Sequence, residues 1–184
     1  MENTKDEKLV AQFLDGDNEA FDNLLNRYLK PIYNFIFRLT RDLPSTEDLT
    51  QEVFIKVWKN LSRFNQNKSF KVWLFSIARN TAYDFLKKKK NLPFAFFEDE
   101  EGNSWISNIA DEKILPNEIL EKADLAKNIE KNLKKIPQNY QIILLMHYQD
   151  DFSLMEIAKI LKKPYNTIKS QHQRALQRFK KLLV

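Results

Sequence analysis

The chain has 184 residues, 43% of them apolar, and a formal net charge of +5. That apolar share is too high for a disordered chain, and no apolar run approaches the ~18–20 residues of a membrane span. Cysteine is absent and histidine occurs only as His147 and His172, which excludes a disulfide framework and argues against a thiolate or His-based metal site.

Glycine is equally informative. Gly16 and Gly102 are the only two in the chain. Gly-rich phosphate loops and Asn-Gly hairpins are therefore excluded, and composition favours an all-α protein. The charged start, Met1 to Lys8, has no signal-type apolar segment behind it, so a cytoplasmic protein is expected.

Charge is unevenly spread. Residues 1–92 carry 16 basic and 12 acidic side chains, net +4; residues 93–116 carry 1 and 6, net −5; residues 117–184 carry 13 and 7, net +6. Two basic blocks flank an acidic connector. The blocks suit a polyanion, although ordinary surface charge would look the same.

In the first block, Asp17 or Asn18 can cap a helix whose stripe runs through Phe21, Leu25, Tyr28, Ile32, Ile36 and Leu39. Pro31 either starts a new helix within this run or kinks a long one. Leu43-Pro44 interrupts the pattern, and Ser45 is expected to cap the next helix. There Leu49, Val53 and Val57 form one row and Phe54, Trp58 and Leu61 another, opposite Asp48, Gln51, Glu52, Lys56 and Lys59. Residues 62–69 read as a polar loop. A third helix starts near Ser69, with Phe70, Trp73, Leu74, Ile77 and Ala78 on one face. Its other face carries Lys71, Arg79, Asn80, Tyr83 and Lys87.

Residues 93–116 show no period. They hold the acidic run Glu98 to Glu101 among apolar side chains such as Phe94, Phe96 and Trp105, so this irregular acidic linker is expected to lie along a surface. The second block opens with a long helix over about 117–135 and a second from Pro137 to about Gln149. Ser153 and Glu156 fit a capping box before the short apolar row Leu154, Ile157, Ala158 and Leu161. After the turn Lys162 to Asn166, Thr167 is expected to cap a last helix. It turns Ile168, His172, Ala175, Leu176, Phe179 and Leu183 inward, and Lys169, Ser170, Gln173, Arg174, Gln177 and Arg178 outward. Two short helices, a tight turn and a basic polar outer face match a DNA-reading helix-turn-helix, against the plainer reading of a solvated helical hairpin.

Three ordered stretches carry a closer likeness: Glu47 to Trp58, Phe70 to Asn80, and Ser153 to Ala175. Together the sequence resembles the extracytoplasmic-function (ECF) sigma factors of the bacterial sigma-70 family over about residues 10–182. The resemblance implies two small helical domains: a sigma domain 2 at 1–92 and a helix-turn-helix sigma domain 4 at 117–184, joined by the linker at 93–116. It implies a transcription initiation factor that binds core RNA polymerase, recognises −10 and −35 promoter DNA and helps to melt it, with no catalysis, cofactor, metal or small-molecule substrate of its own.

By the same resemblance, Asp48, Gln51, Glu52, Lys56, Trp58 and Lys59 dock on the core polymerase; as bare residues, Asp48 and Glu52 also fit a solvated face. The loop Phe64, Asn65, Gln66, Asn67, Lys68 would capture a flipped −10 base. Asn and Gln can read a base edge there, while Phe64 either stacks or closes the core. Arg79, Asn80, Tyr83 and Lys87 would follow the −10 backbone. Tyr165, Asn166, Thr167, Lys169, Ser170, Gln173 and Arg174 would read −35, and Arg178 would touch phosphate. The turn has Lys162-Lys163-Pro164 where the family usually has glycine, and His172 falls on the inward row. The linker acids would mimic RNA in the polymerase channel. An anti-sigma factor, often at the inner face of the membrane, is a further expected partner. The rival reading is a stand-alone helix-turn-helix regulator, which should dimerise and bind duplex DNA unaided.

Overall fold

The computed structural model describes residues 5–90, 129 and 131–182. The linker reading and most of the expected helix over 117–135 lie outside the described residues. Among those described, every regular element is helical.

Helix α1 (Asp6–Leu14) precedes the first expected helix and was not signalled by a cap. Leu9 and Val10 are buried in it. Its acids tie it down: Asp6 takes hydrogen bonds from Arg27 and the Tyr28 hydroxyl, and Glu7 Oε1 accepts from the Phe70 N–H at 3.2 Å. Helix α2 (Asn18–Thr40) is capped by Asp17, whose Oδ1 accepts from Glu19 N–H at 3.0 Å. Pro31 lies inside this helix and does not end it.

Arg41 ends α2 in the left-handed region at φ 55°. Helix α3 (Leu43–Asn60) then starts three residues earlier than expected. Asp42, not Ser45, holds the cap position, because Pro44 fits the first helical turn, where no N–H is needed. Ser45 donates to the Asp42 carboxylate instead. A 3-10 turn, Leu61–Arg63, occupies the start of the expected polar loop, and α4 (Phe70–Lys90) follows.

In the second block, α5 (Gln138–Tyr148) precedes α6 (Leu154–Leu161) and α7 (Tyr165–Lys181). The capping box is complete: Glu156 N–H donates to Ser153 Oγ at 3.3 Å, and Ser153 N–H to Glu156 Oε2 at 2.9 Å. Lys162 turns the chain at φ 54° in the left-handed region, where glycine would be free of strain. Helix α7 begins at Tyr165, so Thr167 lies in its first turn and is not its cap; Pro164 takes that place.

The two blocks share one apolar core. Phe35, Phe70, Phe75, Leu24 and Ile32 are fully buried in the first block, and Phe152, Ile157, Ile160 and Ile168 in the second, within the same cluster. A smaller cluster of Ile136, Tyr140, Leu144 and Ala175 packs α5 on α7.

Candidate nucleic-acid and polymerase interfaces

Helix α3 presents a mixed outer face. Asp48, Gln51, Glu52 and Lys59 are exposed, and Lys56 is half-buried. Lys56 pairs with Glu52 one turn back at 2.6 Å and donates to Thr81 Oγ1 at 3.0 Å, which fixes its stem against α4. Trp58 does not join the buried row expected from its spacing. It is 58% exposed, and Ile55 beside this face is 52% exposed. Two large apolar side chains held in water on one charged helix face suit a protein partner. Between α2 and α3 an open groove of about 470 Å³ is lined by Asn26, Leu29, Lys30, Tyr33, Glu47, Thr50 and Gln51. Only Gln51 of these residues was a candidate from sequence. Leu29 sits in the α2 pattern like a core residue, and its exposure is visible only once the helices are packed.

The loop before α4 is ordered by its own side chains. Asn65 Oδ1 accepts from Asn67 N–H at 3.0 Å, and Lys68 N–H returns to the Asn65 carbonyl at 2.9 Å. This is a local Asx arrangement. Asn65, Gln66, Asn67 and Lys68 are all exposed. Phe64 is not: its ring packs 5.8 Å from Phe70 and 4.9 Å from Trp73, and it is 7% exposed. Of the two roles open to Phe64, closing the core is the one it fills.

Between α3, the 3-10 turn and α4 lies a second open groove, about 450 Å³, lined by Lys56, Asn60, Arg63, Trp73, Ile77, Asn80 and Thr81. It combines one aromatic wall, three amide or hydroxyl groups and two cations. Asn80 was expected there; Asn60, Arg63, Ile77 and Thr81 were not. They come from three separate elements, so no sequence period joins them. Arg79 and Tyr83 turn out buried, at 7% exposure each. The Arg79 guanidinium lies 3.8 Å from the Tyr83 ring centre and donates to Asn80 Oδ1 at 3.1 Å. Burial raises the Tyr83 hydroxyl above its usual pKa, against the lowering effect of Arg79. Arg79, stacked on Tyr83, therefore holds the Asn80 side chain. Lys87 is exposed further along α4.

Helix α7 separates its faces cleanly. Ile168, His172 and Ala175 are buried, whereas Tyr165, Asn166, Lys169, Gln173, Arg174 and Arg178 are exposed. Thr167 and Ser170 are half-buried, and Ser170 Oγ donates to the Thr167 carbonyl at 3.0 Å. Arg178 lies over the Tyr140 ring at 5.3 Å, which steadies its guanidinium at the edge of the face. His172 packs inward, 5.0 Å from the His147 ring and 5.7 Å from Tyr148. The outer row thus offers side chains suited to base edges and phosphates, on a short helix held by a capped partner.

Comparison with known proteins agrees with this arrangement. Residues 24–92 match sigma-70 region 2 and residues 127–179 match sigma-70 region 4. The chain is 31% identical to the ECF RNA polymerase sigma factor SigW of Bacillus subtilis, over 96% of this chain and 95% of that one. It is 29% identical to the ECF RNA polymerase sigma-E factor of Escherichia coli K12, over 95% and 92%. Among solved structures it resembles the sigma factor RpoE of Bartonella quintana, crystallised with the anti-sigma factor NepR. That match has a TM-score of 0.64 at 26% identity and covers 89% of this chain and 96% of the other. The chain belongs to the ECF sigma factors of the sigma-70 family.

Proposed function

We propose that this protein directs bacterial core RNA polymerase to promoters through three surfaces. The outer face of α3, with Asp48, Gln51, Glu52, Lys56, Trp58 and Lys59, docks on the polymerase. The loop 65–68 and the groove lined by Trp73, Asn80 and Lys56 receive an unstacked −10 base. The α7 row from Tyr165 to Arg174 enters the major groove at −35, with Arg178 on a phosphate. Polymerase performs the chemistry and this chain supplies none. The domain limits 1–92 and 117–184, with a linker between, follow from the same reading, as does a cytoplasmic location.

The observation that carries the reading is the presence in one chain of two surfaces of different character, each suited to a different form of DNA. The groove between α3, the 3-10 turn and α4 is concave, with an aromatic wall and amide donors and acceptors, which suits a base out of its stack. The α7 face is convex, polar and basic, which suits an intact major groove. A stand-alone regulator would need only the second. The similar factor bound to an anti-sigma factor supports an inhibitor of that kind as a further partner.

The test is run-off transcription with bacterial core polymerase on fragments of the source genome. Discrete start sites that appear only with this protein are expected, and their alignment gives the −10 and −35 sequences. Tight duplex binding by a dimer, with neither core binding nor new start sites, would favour the stand-alone regulator.

A further inference from the structure

Helix α4 opens on backbone N–H groups that its own turns cannot satisfy. Two of them find side-chain oxygens from opposite directions in the sequence. Val72 N–H donates to Ser69 Oγ at 3.3 Å, a local cap. Phe70 N–H donates to Glu7 Oε1 at 3.2 Å, on a residue 63 positions earlier. A carboxylate at this end also meets the positive pole of the helix.

Glu7 is held in place for that contact. Its neighbour Asp6 accepts from Arg27 and from the Tyr28 hydroxyl, and the Tyr28 ring meets Phe70 edge-on at 5.8 Å. Leu9 and Val10 anchor the same helix in the core. Helix α1 packs on both the 3-10 turn and α4, the two arms that carry the loop 64–69. The loop's own bonds, from Asn67 N–H to Asn65 Oδ1 and from Lys68 N–H to the Asn65 carbonyl, are local. They fix its curl but not its placement. Placement comes from its ends: the Phe64 ring, packed on Phe70 and Trp73, and the Phe70 N–H on Glu7.

We propose that Glu7 is a positioning residue for −10 recognition: by holding the Phe70 N–H it sets where Asn65 and Gln66 present their amides, and so decides how sharply one base is told from another. The inference rests on the sigma-factor function proposed above. An amide that shifts by about 1 Å leaves hydrogen-bond range of the base edge it reads. Stacking on an aromatic ring, by contrast, accepts any base. A loosened loop therefore loses its grip on the correct base without gaining one on the others. Discrimination goes first, and the sequence-independent part of binding stays.

The charge of Glu7 acting alone would work in the opposite direction. A carboxylate close to a single strand repels its phosphates, so its removal would tighten binding of every strand alike, most of all at low salt. Reach separates the two accounts. Gln at position 7 keeps an accepting oxygen at the same distance and drops the charge. Asp keeps the charge and falls one methylene short of the Phe70 N–H.

The test uses the full-length protein with core polymerase. The probe is a non-template −10 single strand taken from the run-off start sites, with 2-aminopurine beside the captured base, and a set of strands in which that base is changed. Glu7→Ala and Glu7→Asp should lower affinity for the correct strand about tenfold and leave the changed strands within about twofold of wild type. They should also weaken the rise in 2-aminopurine fluorescence that reports unstacking. Glu7→Gln should keep discrimination and fluorescence near wild type. Binding of a −35 duplex should not move. If Glu7→Ala does not fold, Glu7→Asp carries the same comparison. Equal losses on correct and changed strands, tighter binding of every strand by Glu7→Ala and Glu7→Gln, or wild-type discrimination in Glu7→Asp would each overturn the role of Glu7. In those cases the wild type still captures its base and starts transcripts, so the sigma-factor function stands. A wild-type holoenzyme that captures no base and makes no start sites would remove that function, and this role with it.

Discussion

Region 2 and region 4 place their functional side chains by different means. In region 4 a single helix separates its roles by face: the inner row of α7 packs and the outer row is free. In region 2 the functional surface is a seam between elements. Its groove takes Lys56 and Asn60 from α3, Arg63 from the 3-10 turn, and Trp73, Ile77, Asn80 and Thr81 from α4. Phe64, Phe70 and Trp73 pack on one another directly behind the loop. A change in the region 2 core should therefore move its site, whereas region 4 can lose a surface side chain and keep its shape.

The largest test of that contrast is Phe70→Ala. Phe70 is 1% exposed, touches the rings of Tyr28, Phe64 and Trp73, and donates its backbone N–H to Glu7. Its truncation should cost about 3–5 kcal/mol of stability. Thermal unfolding would measure this. At a temperature where the variant stays folded, binding of a −10 single strand should fall further than binding of a −35 duplex. Equal losses at both would mean that the two sites are not separately supported.

Arg174→Ala is the matching change in region 4. Arg174 is exposed on α7, so stability should hardly move. If Arg174 makes a bidentate base contact, −35 binding should weaken by about 1–3 kcal/mol at one base position. Competition binding against point-mutated −35 sites reads this out. A uniform loss at every site would assign Arg174 to a phosphate.

The same contrast explains what could be read from residues alone. The helix-turn-helix was legible almost to the residue, because one helix period and one capping box encode it, and Glu156 and Ser153 meet as their spacing requires. In region 2 the helices were legible but the site only in part. Arg79 and Tyr83 are polar, so periodicity assigned them to the outer face; their mutual stacking lets both be buried. Trp58 is apolar, so periodicity placed it inside, yet it faces solvent. Helix α1 has only nine residues, and what fixes it is tertiary: Asp6 on Arg27 and Tyr28, and Glu7 on Phe70. Phe75 offered no cue that it would meet Phe152, 77 positions away, because docking between regions leaves no periodic trace.

Ser153→Ala sharpens the comparison on a smaller scale. It removes half of the capping box that starts α6 and should cost about 1 kcal/mol. Denaturant unfolding followed by far-ultraviolet dichroism would show it. Because α6 packs on α4 and contributes Ile157 and Ile160 to the shared core, the whole transition should shift. A separate early phase confined to region 4 would show that the two regions unfold independently.

The smallest expected effect concerns pH. His172 is held below its ordinary pKa by burial and, secondarily, by the neighbouring His147 ring. Its Nε2 is buried without a hydrogen-bond partner, so the neutral ring is the form that fits. An unfolded histidine titrates near ~6.5. Below that pH the unfolded chain takes up a proton that the folded chain resists, and stability must fall as pH drops. Above it the two states bind protons alike and this contribution is constant. His172→Phe keeps an aromatic ring against Tyr148 and removes the titration. Its unfolding midpoint should depend less on pH between 7 and 5 than that of the wild type. An identical slope would mean that protonation of His172 is tolerated where it lies, and that the inner face of α7 is less sealed than its outer face is open.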